Sequence, residues 1–445
     1  MTVFRCAHAW VGGVALPEVD IRVEGGRITA VGPSAQAGAE VVELPGLVLP
    51  GFANAHSHAF HRALRGRTHG DGGTFWTWRE AMYRLAAALD PDSYHALARA
   101  VFAEMALAGV TSVGEFHYVH HQPDGRPYDD PNAMGEALRA AAREAGVRLT
   151  LLDTCYLAGG LDASGPLPLR PEQARFGDGT AQGWAERVAK LGDDDRTRVG
   201  AAIHSVRAVP RDAMAVVAEA AAGRPLHAHL SEQPAENEAC EAAYRLTPTQ
   251  VMAEAGALGP LSSMVHATHL TAADIALLGS TSTCACFCPT TERDLADGIG
   301  PARALLEAGA VITLGSDQHA VIDLLEEARA VEMHERLVTH QRGNVESGAL
   351  MAALTSAGQR SLGWDDAGSL AVGQRADLVC VRLDTVRTAG SLPDQALMAA
   401  TATDVDTVVV DGRVVVSGGR HRSVDVAAEL STSIRRLWDA AEAAG

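Results

Sequence analysis

Lysine is all but missing: Lys190 is the only one in 445 residues, and arginine carries the remaining positive charge. Positive charge is scarce as well, 37 Lys and Arg against 55 Asp and Glu, for a formal net charge of −18. A field of that sign opposes nucleic acid and anionic membrane surfaces. Long apolar runs are lacking: none reaches the roughly 18–20 residues that span a bilayer. Met1 to Val14 holds one arginine, a broken apolar stretch and no small-residue cleavage pattern, so no secretory leader is expected and the reading is a cytoplasmic protein. Seven cysteines in so long a chain make no disulfide framework. Cys284, Cys286 and Cys288 alternate and would share one strand face, but they lack zinc-site spacing, and core packing is the expectation. Neither a phosphate-cradling G-x-x-x-x-G-K-S/T loop nor a G-x-G-x-x-G after a strand occurs.

What is present is 47% apolar residues, enough for one large core and a small second domain. Short β-rich segments open the chain (Gly12–Leu16, Ile21–Glu24, Arg27–Val31, Val41–Leu44), with Gly25-Gly26 as a hairpin turn. The texture returns at Leu378–Arg382, Thr407–Val410 and Arg413–Val416, with Asp411-Gly412 as the turn. Between them, eight β-branched or apolar runs alternate with Ala-rich helical stretches: Leu47–His58, Val110–Tyr118, Arg148–Tyr156, Arg198–Val206, Pro225–Glu232, Ser262–Leu270, Thr281–Pro289 and Val311–His319. Eight such repeats predict an α/β fold, a (β/α)8 TIM-like barrel with a small β-sandwich domain built from both chain ends. The expected boundaries are 1–49 and 367–423 for the sandwich, 50–366 for the barrel, and 424–445 for a C-terminal amphipathic helix.

Barrels of this kind build their sites at the C-terminal strand ends. Strand one ends in His56-Ser57-His58, and alternation puts both imidazoles on one side, within reach of one metal. Strand five ends in His227-Ala228-His229-Leu230-Ser231-Glu232, strand six carries His266 and His269, and strand eight ends in Gly315-Ser316-Asp317-Gln318-His319. Burying Asp317 is costly without a cation or donors. Nitrogen and oxygen ligands of this set suit zinc, with iron or manganese also able to accept them. Two-metal barrels of this sort bridge their ions with a lysine on strand four. That strand reads Ala201-Ala202-Ile203-His204, so one metal ion is the simpler expectation.

At these residues the chain resembles the amidohydrolase superfamily, and H-x-H-x-x-E on strand five resembles its one-zinc deaminase branch. Four longer strings, Asn54-Ala55-His56-Ser57-His58-Ala59-Phe60, Phe75-Trp76-Thr77-Trp78-Arg79-Glu80, Glu115-Phe116-His117-Tyr118-Val119-His120-His121 and His204-Ser205-Val206-Arg207-Ala208-Val209, resemble the formimidoylglutamate deiminases of histidine degradation. These hydrolyse N-formimino-L-glutamate to N-formyl-L-glutamate and ammonia. The resemblance implies His56, His58, His229 and Asp317 as metal ligands, with Glu232, His266 and Asp317 as catalytic groups. It also implies that Arg79, Tyr118, His204 and Arg207 hold the amino-acid end of the substrate. His61 stands where that pattern is expected to carry Gln, so its contact with the substrate is open.

The chemistry agrees with those roles. Zinc lowers the pKa of bound water to about 7, and Asp317 can take the proton. A formimino group is basic and largely cationic at neutral pH, so the Glu232 carboxylate would attract it and carry a proton to the departing nitrogen. His266 can stabilise developing charge. The dianionic substrate asks for arginines, which recognise carboxylates in bidentate fashion, and Arg79, in the long loop after strand one, and Arg207, just past strand four, are placed for it. Phe75, Trp76 and Trp78 read as a lid or wall. The expected partner is a small dianionic amino-acid derivative, with no nucleic acid and no membrane, and the protein is expected to pair as a homodimer. Two other readings stay open: an aminohydrolase of purines, pterins, triazines or guanidino acids, and a barrel kept as a non-catalytic scaffold.

Overall fold

The computed structural model describes residues 1–33, 40–70 and 75–443, the side chains of 75 and 76 apart. Four strands open the chain: β1 (Thr2–Val11), β2 (Val14–Glu24), β3 (Arg27–Pro33) and β4 (Glu40–Pro50). Then come β5 (Phe52–Ser57), β6 (Val110–His117), β7 (Arg148–Cys155), a small hairpin of β8 (Gly160–Asp162) and β9 (Gly165–Leu167), and β10 (Thr197–Ile203). The series continues with β11 (Leu226–Leu230), β12 (Ser262–His266), β13 (Cys284–Phe287) and β14 (Val311–Leu314). Last are β15 (Leu378–Val381), β16 (Val405–Val410), β17 (Arg413–Ser417) and β18 (Arg420–His421).

The middle strands form one sheet in the order β14-β13-β12-β11-β10-β7-β6-β5, every neighbouring pair parallel. Parallel strands need covered crossovers, and helices supply them, as the alternation in the sequence predicts. The ring closes at its upper rim, between the ends of β5 and β14. There the His58 N–H donates to the Asp317 carbonyl, and the Ser316 and Asp317 N–H groups donate to the His56 carbonyl. Closure is therefore made by the residues flanking the two imidazoles of strand one.

Strands from both chain ends build the second sheet, in the order β18-β17-β16-β15-β4-β1-β2-β3. It is one continuous ladder around a shared core that includes Phe4, Ile21, Leu44, Leu378 and Val409. The predicted turns hold: Gly25-Gly26 and Asp411-Gly412 take positive φ at both residues, which a two-residue hairpin turn requires. Strand β1 is a correction. Its ten residues read as a broken apolar stretch, yet it sits between β2 and β4. A register shift against β4 between Cys6 and His8 interrupts the period-two pattern that would have revealed it. Likewise Gly12-Gly13, expected to start a strand, is the turn joining β1 to β2.

A buried ion pair joins sheet to barrel. Arg148, fully buried at the start of β7, donates from both terminal nitrogens to Asp377 and also to Asp411 Oδ1 at 3.1 Å. Replacing Arg148 with leucine leaves Asp377 buried without its partner, and a loss of about 3–5 kcal/mol is expected. Urea titration reads it directly. The C-terminal helix (Val426–Ala443) packs through Glu429 on Arg99 and through the Trp438 indole N–H on the Ala63 carbonyl. No helix among the described residues is long and apolar enough to cross a membrane.

Candidate metal-dependent active site

Five side chains from four strand ends meet at the closed rim: His56 on β5 and His58 just past it, His229 from β11, His266 from β12 and Asp317 just past β14. The backbone bends sharply to aim them. Ser231, His266 and Asp317 take φ of 50°, 69° and 42°, a left-handed conformation that side-chain-bearing residues avoid unless their surroundings impose it.

Hydrogen-bond accounting sets the state of the imidazoles. His58 Nδ1 lies 2.9 Å from the Phe116 carbonyl, and His229 Nδ1 lies 2.9 Å from the His204 carbonyl. A carbonyl only accepts, so each Nδ1 carries the hydrogen and each Nε2 presents a lone pair. His229 Nε2 is 3.2 Å from His56 Nε2, and Asp317 Oδ1 is 3.4 Å from the Nε2 atoms of both His56 and His58. Lone pairs and a carboxylate oxygen thus crowd one point, an arrangement a cation relieves. The spacing fits: bonds of about 2.0–2.1 Å to a tetrahedral ion imply ligand–ligand edges of about 3.3 Å.

Electrostatics agree. Burial holds His56 down to about 3 and lowers His58 and His229, so all three are neutral donors. Burial works against ionisation of Asp317, but its histidine neighbours, the charged His266 among them, outweigh it and hold the carboxyl well below its usual range. His266 goes the other way. Burial disfavours its charge, yet Glu232 (3.6 Å), Glu292 (3.5 Å) and Asp317 (3.8 Å) together push its pKa well above the ordinary imidazole value.

Behind these side chains, Asn54 and Ser316 exchange two hydrogen bonds across the seam, at 2.7 and 2.9 Å. Glu115 accepts from the Ser57 hydroxyl at 2.7 Å and the Ala59 N–H at 2.6 Å, which locks the His-Ser-His segment; burial pushes its carboxyl up to about 8.

In front of these side chains lies a cavity that opens to solvent. All the residues expected to hold substrate line it: His61, Arg79, Tyr118, His204 and Arg207. Arg79 needs a correction, because its surroundings are not a loop: it lies on a helix (Phe75–Ala87) and donates to the Tyr83 hydroxyl. Trp78 forms part of the wall, as read, while the side chains of Phe75 and Trp76 lie outside the described residues. The ring nitrogen of His61 pairs with the Tyr118 hydroxyl at 2.9 Å. Arg207 is already engaged: its Nη2 is 2.9 Å from Glu232 and its Nε 3.1 Å from Glu236. It therefore orients Glu232 in addition to facing the cavity.

Residues 47–415 match the amidohydrolase family. The chain belongs to the amidohydrolase family. It is similar to the formimidoylglutamate deiminase of Pseudomonas aeruginosa, at 37% identity over 415 residues, 89% of this chain and 90% of that protein. An 8-oxoguanine deaminase of the same organism is 29% identical over 394 residues, 86% of this chain and 85% of that one. Among solved structures, an amidohydrolase from Brucella melitensis superposes with a TM-score of 0.88 at 29% identity, covering 98% of this chain and 100% of the other. An adenosine deaminase from Xanthomonas campestris with bound zinc shares the fold, with a TM-score of 0.84 at 24% identity over 99% and 98% of the two chains. This amidohydrolase is thus a hydrolase of carbon–nitrogen bonds, and its histidine and aspartate set supports a metal ion.

Several polar residues of the amidohydrolase site escaped the sequence reading. Tyr156 ends strand three, where the strand-end rule points, but a lone tyrosine carries no motif. Glu292 lies one helical turn past strand seven and reaches His266. Tyr83, Gln173 and Glu236 sit on helices or a helical turn between strands, and nothing in their local pattern marks them. A second grouping of His117, His120 and Asp153 is no open cation site, because Arg187 already clamps Asp153 with two bonds of 2.8 Å. Cys284, Cys286 and Cys288 are free and buried; Cys288 comes within ligand distance of His266 and Asp317.

Burial pushes His120 and His227, each bonded to a backbone carbonyl, down to about 4. A depressed folded-state pKa means the unfolded chain binds more protons. Their contribution is therefore complete above the unfolded value of about 6.5 and lost as pH falls toward 4. Melting temperatures of the metal-free protein between pH 7 and 4 should fall accordingly.

Proposed function

We propose that this amidohydrolase hydrolyses the formimino C–N bond of N-formimino-L-glutamate, giving N-formyl-L-glutamate and ammonia, with one zinc ion, as a cytoplasmic, homodimeric enzyme of histidine degradation. The observation that carries the reading is a single cavity bounded by the metal ligands at one end and lined by Arg79 and Arg207. The 37% identical relative named formimidoylglutamate deiminase supports it.

His56, His58, His229 and Asp317 would hold the zinc, which when bound supplies Lewis acidity and draws a nucleophile from water at neutral pH. The rest follows from the chain's own groups. Asp317, kept ionised, takes the proton lost by the attacking water. Glu232 faces the cavity as the counter-charge for the cationic formimino group, takes the second proton of the water as the tetrahedral carbon collapses to the carbonyl, and passes it to the departing nitrogen. His266, held protonated by its three carboxylate neighbours, donates to the oxygen as charge develops there. Arg79, Tyr118, His204, Arg207 and His61 surround the two carboxylates, and the local arginines reverse the sign of a globally acidic protein. Strand four ends at Ile203-His204 and Lys190 is exposed elsewhere, which supports a single ion.

Ammonia release on zinc-loaded protein tests this. Turnover of N-formimino-L-glutamate with kcat/KM of about 10⁴ per molar per second or more, and at least about 10³-fold above 8-oxoguanine, is expected. The opposite preference would place the enzyme among the purine deaminases, and metal analysis giving two firmly held ions would overturn the single-ion assignment.

A further inference from the structure

Gln173, Tyr83 and Tyr156 form a buried polar cluster on the wall away from the metal ligands, and its hydrogens can be counted. The Arg170 backbone N–H donates to Gln173 Oε1 at 2.9 Å, which fixes the amide orientation because an N–H cannot accept. The Gln173 NH2 therefore faces the two phenols and donates to Tyr83 Oη and Tyr156 Oη, each at 2.9 Å. Tyr83 Oη also accepts from Arg79 Nε, so both of its lone pairs are used and its own hydrogen must go outward. An amide nitrogen cannot accept, and Tyr83 has no lone pair left, so neither can receive the Tyr156 hydrogen. Tyr156 accepts from Gln173, and its own hydrogen turns to the cavity that its side chain lines.

We propose that the Tyr156 hydroxyl is an obligate hydrogen-bond donor, set by Gln173 and by the Arg79–Tyr83 bond, that receives the side-chain carboxylate of the bound dianion. The inference rests on the dianionic substrate proposed above. Position selects the carboxylate. Between Tyr156 and the ligand His229 stands the His204 ring, with centroid steps of 4.5 and 5.0 Å. The α-carboxylate of a formimino amino acid stays two bonds from its nitrogen, too near to cross that ring. The side-chain carboxylate, four bonds out, can. Tyr83 lies under two guanidiniums, Arg79 at 5.3 Å and Arg170 at 5.0 Å from its ring centre, which hold it in place. Tyr156 is thus a positioning group that reads substrate length.

Calorimetry with glutarate, an inert dicarboxylate, alongside steady-state kinetics with N-formimino-L-glutamate, tests the assignment on zinc-loaded wild type, Tyr156→Phe and Gln173→Glu. Tyr156→Phe should weaken glutarate binding and raise KM about tenfold, with kcat within threefold and the melting temperature unchanged. Gln173→Glu keeps the phenol but gives it an acceptor, so the hydrogen turns inward and the same loss should appear. Wild-type affinity for glutarate in Tyr156→Phe, or no glutarate binding by the wild type, overturns the inference. Wild-type protein that binds glutarate through Tyr156 but does not hydrolyse N-formimino-L-glutamate overturns the proposed reaction instead and leaves the donor in place.

Discussion

Glu232→Gln is expected to lower kcat by about 10²–10⁴-fold while metal content stays at the wild-type level. The side chain keeps its shape and its place beside His266 and Arg207. What it loses is the ability to carry a proton between water and the leaving nitrogen, and the negative charge that draws a cationic formimino group. The Arg207 bond to Glu232 Oε2 makes the consequence larger, because an amide nitrogen turned toward that guanidinium would be repelled. Single-turnover ammonia release with parallel metal analysis separates the two effects. A rate within tenfold of wild type would remove Glu232 from proton transfer.

Asp317→Asn should cost several kcal/mol of transition-state stabilisation, on the order of 10³-fold or more in kcat, together with most of the bound metal. The charge is the reason: one carboxylate oxygen faces the nitrogens of both His56 and His58 at 3.4 Å, and an amide there offers a weaker ligand to a divalent ion. The fold should survive, since barrel closure uses the backbone N–H and carbonyl of residue 317, which asparagine retains. Equal melting temperatures for metal-free wild type and variant, with a metal-induced increase only in wild type, are the expected pattern. A variant that keeps its metal and turns over at a wild-type rate would show that the ion is held without this carboxylate.

Much of the site was legible because a strand end is a local signal. His56 and His58 announce themselves by alternation, His227-Ala228-His229 by the same spacing, and Asp317 by a charge after an apolar run. The pair at strand five also shows the limit of such reading. Alternation equates its two histidines, yet His229 reaches His56 while His227 binds the Ser361 carbonyl at 3.0 Å. Arg79 was found by its string but assigned to the long loop after strand one, and only the structure puts it on a helix. Strand β1 was lost to a bulge, which shifts the alternation by one residue and erases the period on which strand reading depends. Arg207 could be picked out as a cation at a strand end, but its two glutamate partners lie 25 and 29 positions further along the chain and become visible only in space.

The chain's order of residues was sufficient for the alternating barrel, the donor atoms at its strand ends and the want of a bridging lysine, since each depends on near neighbours and backbone periodicity. Tertiary structure alone decided which nitrogen of each imidazole bears a hydrogen, which acids surround His266, and where the Tyr156 hydrogen points. Those outcomes depend on distances between residues far apart in sequence, and lone pairs and protons are allotted only when such partners meet.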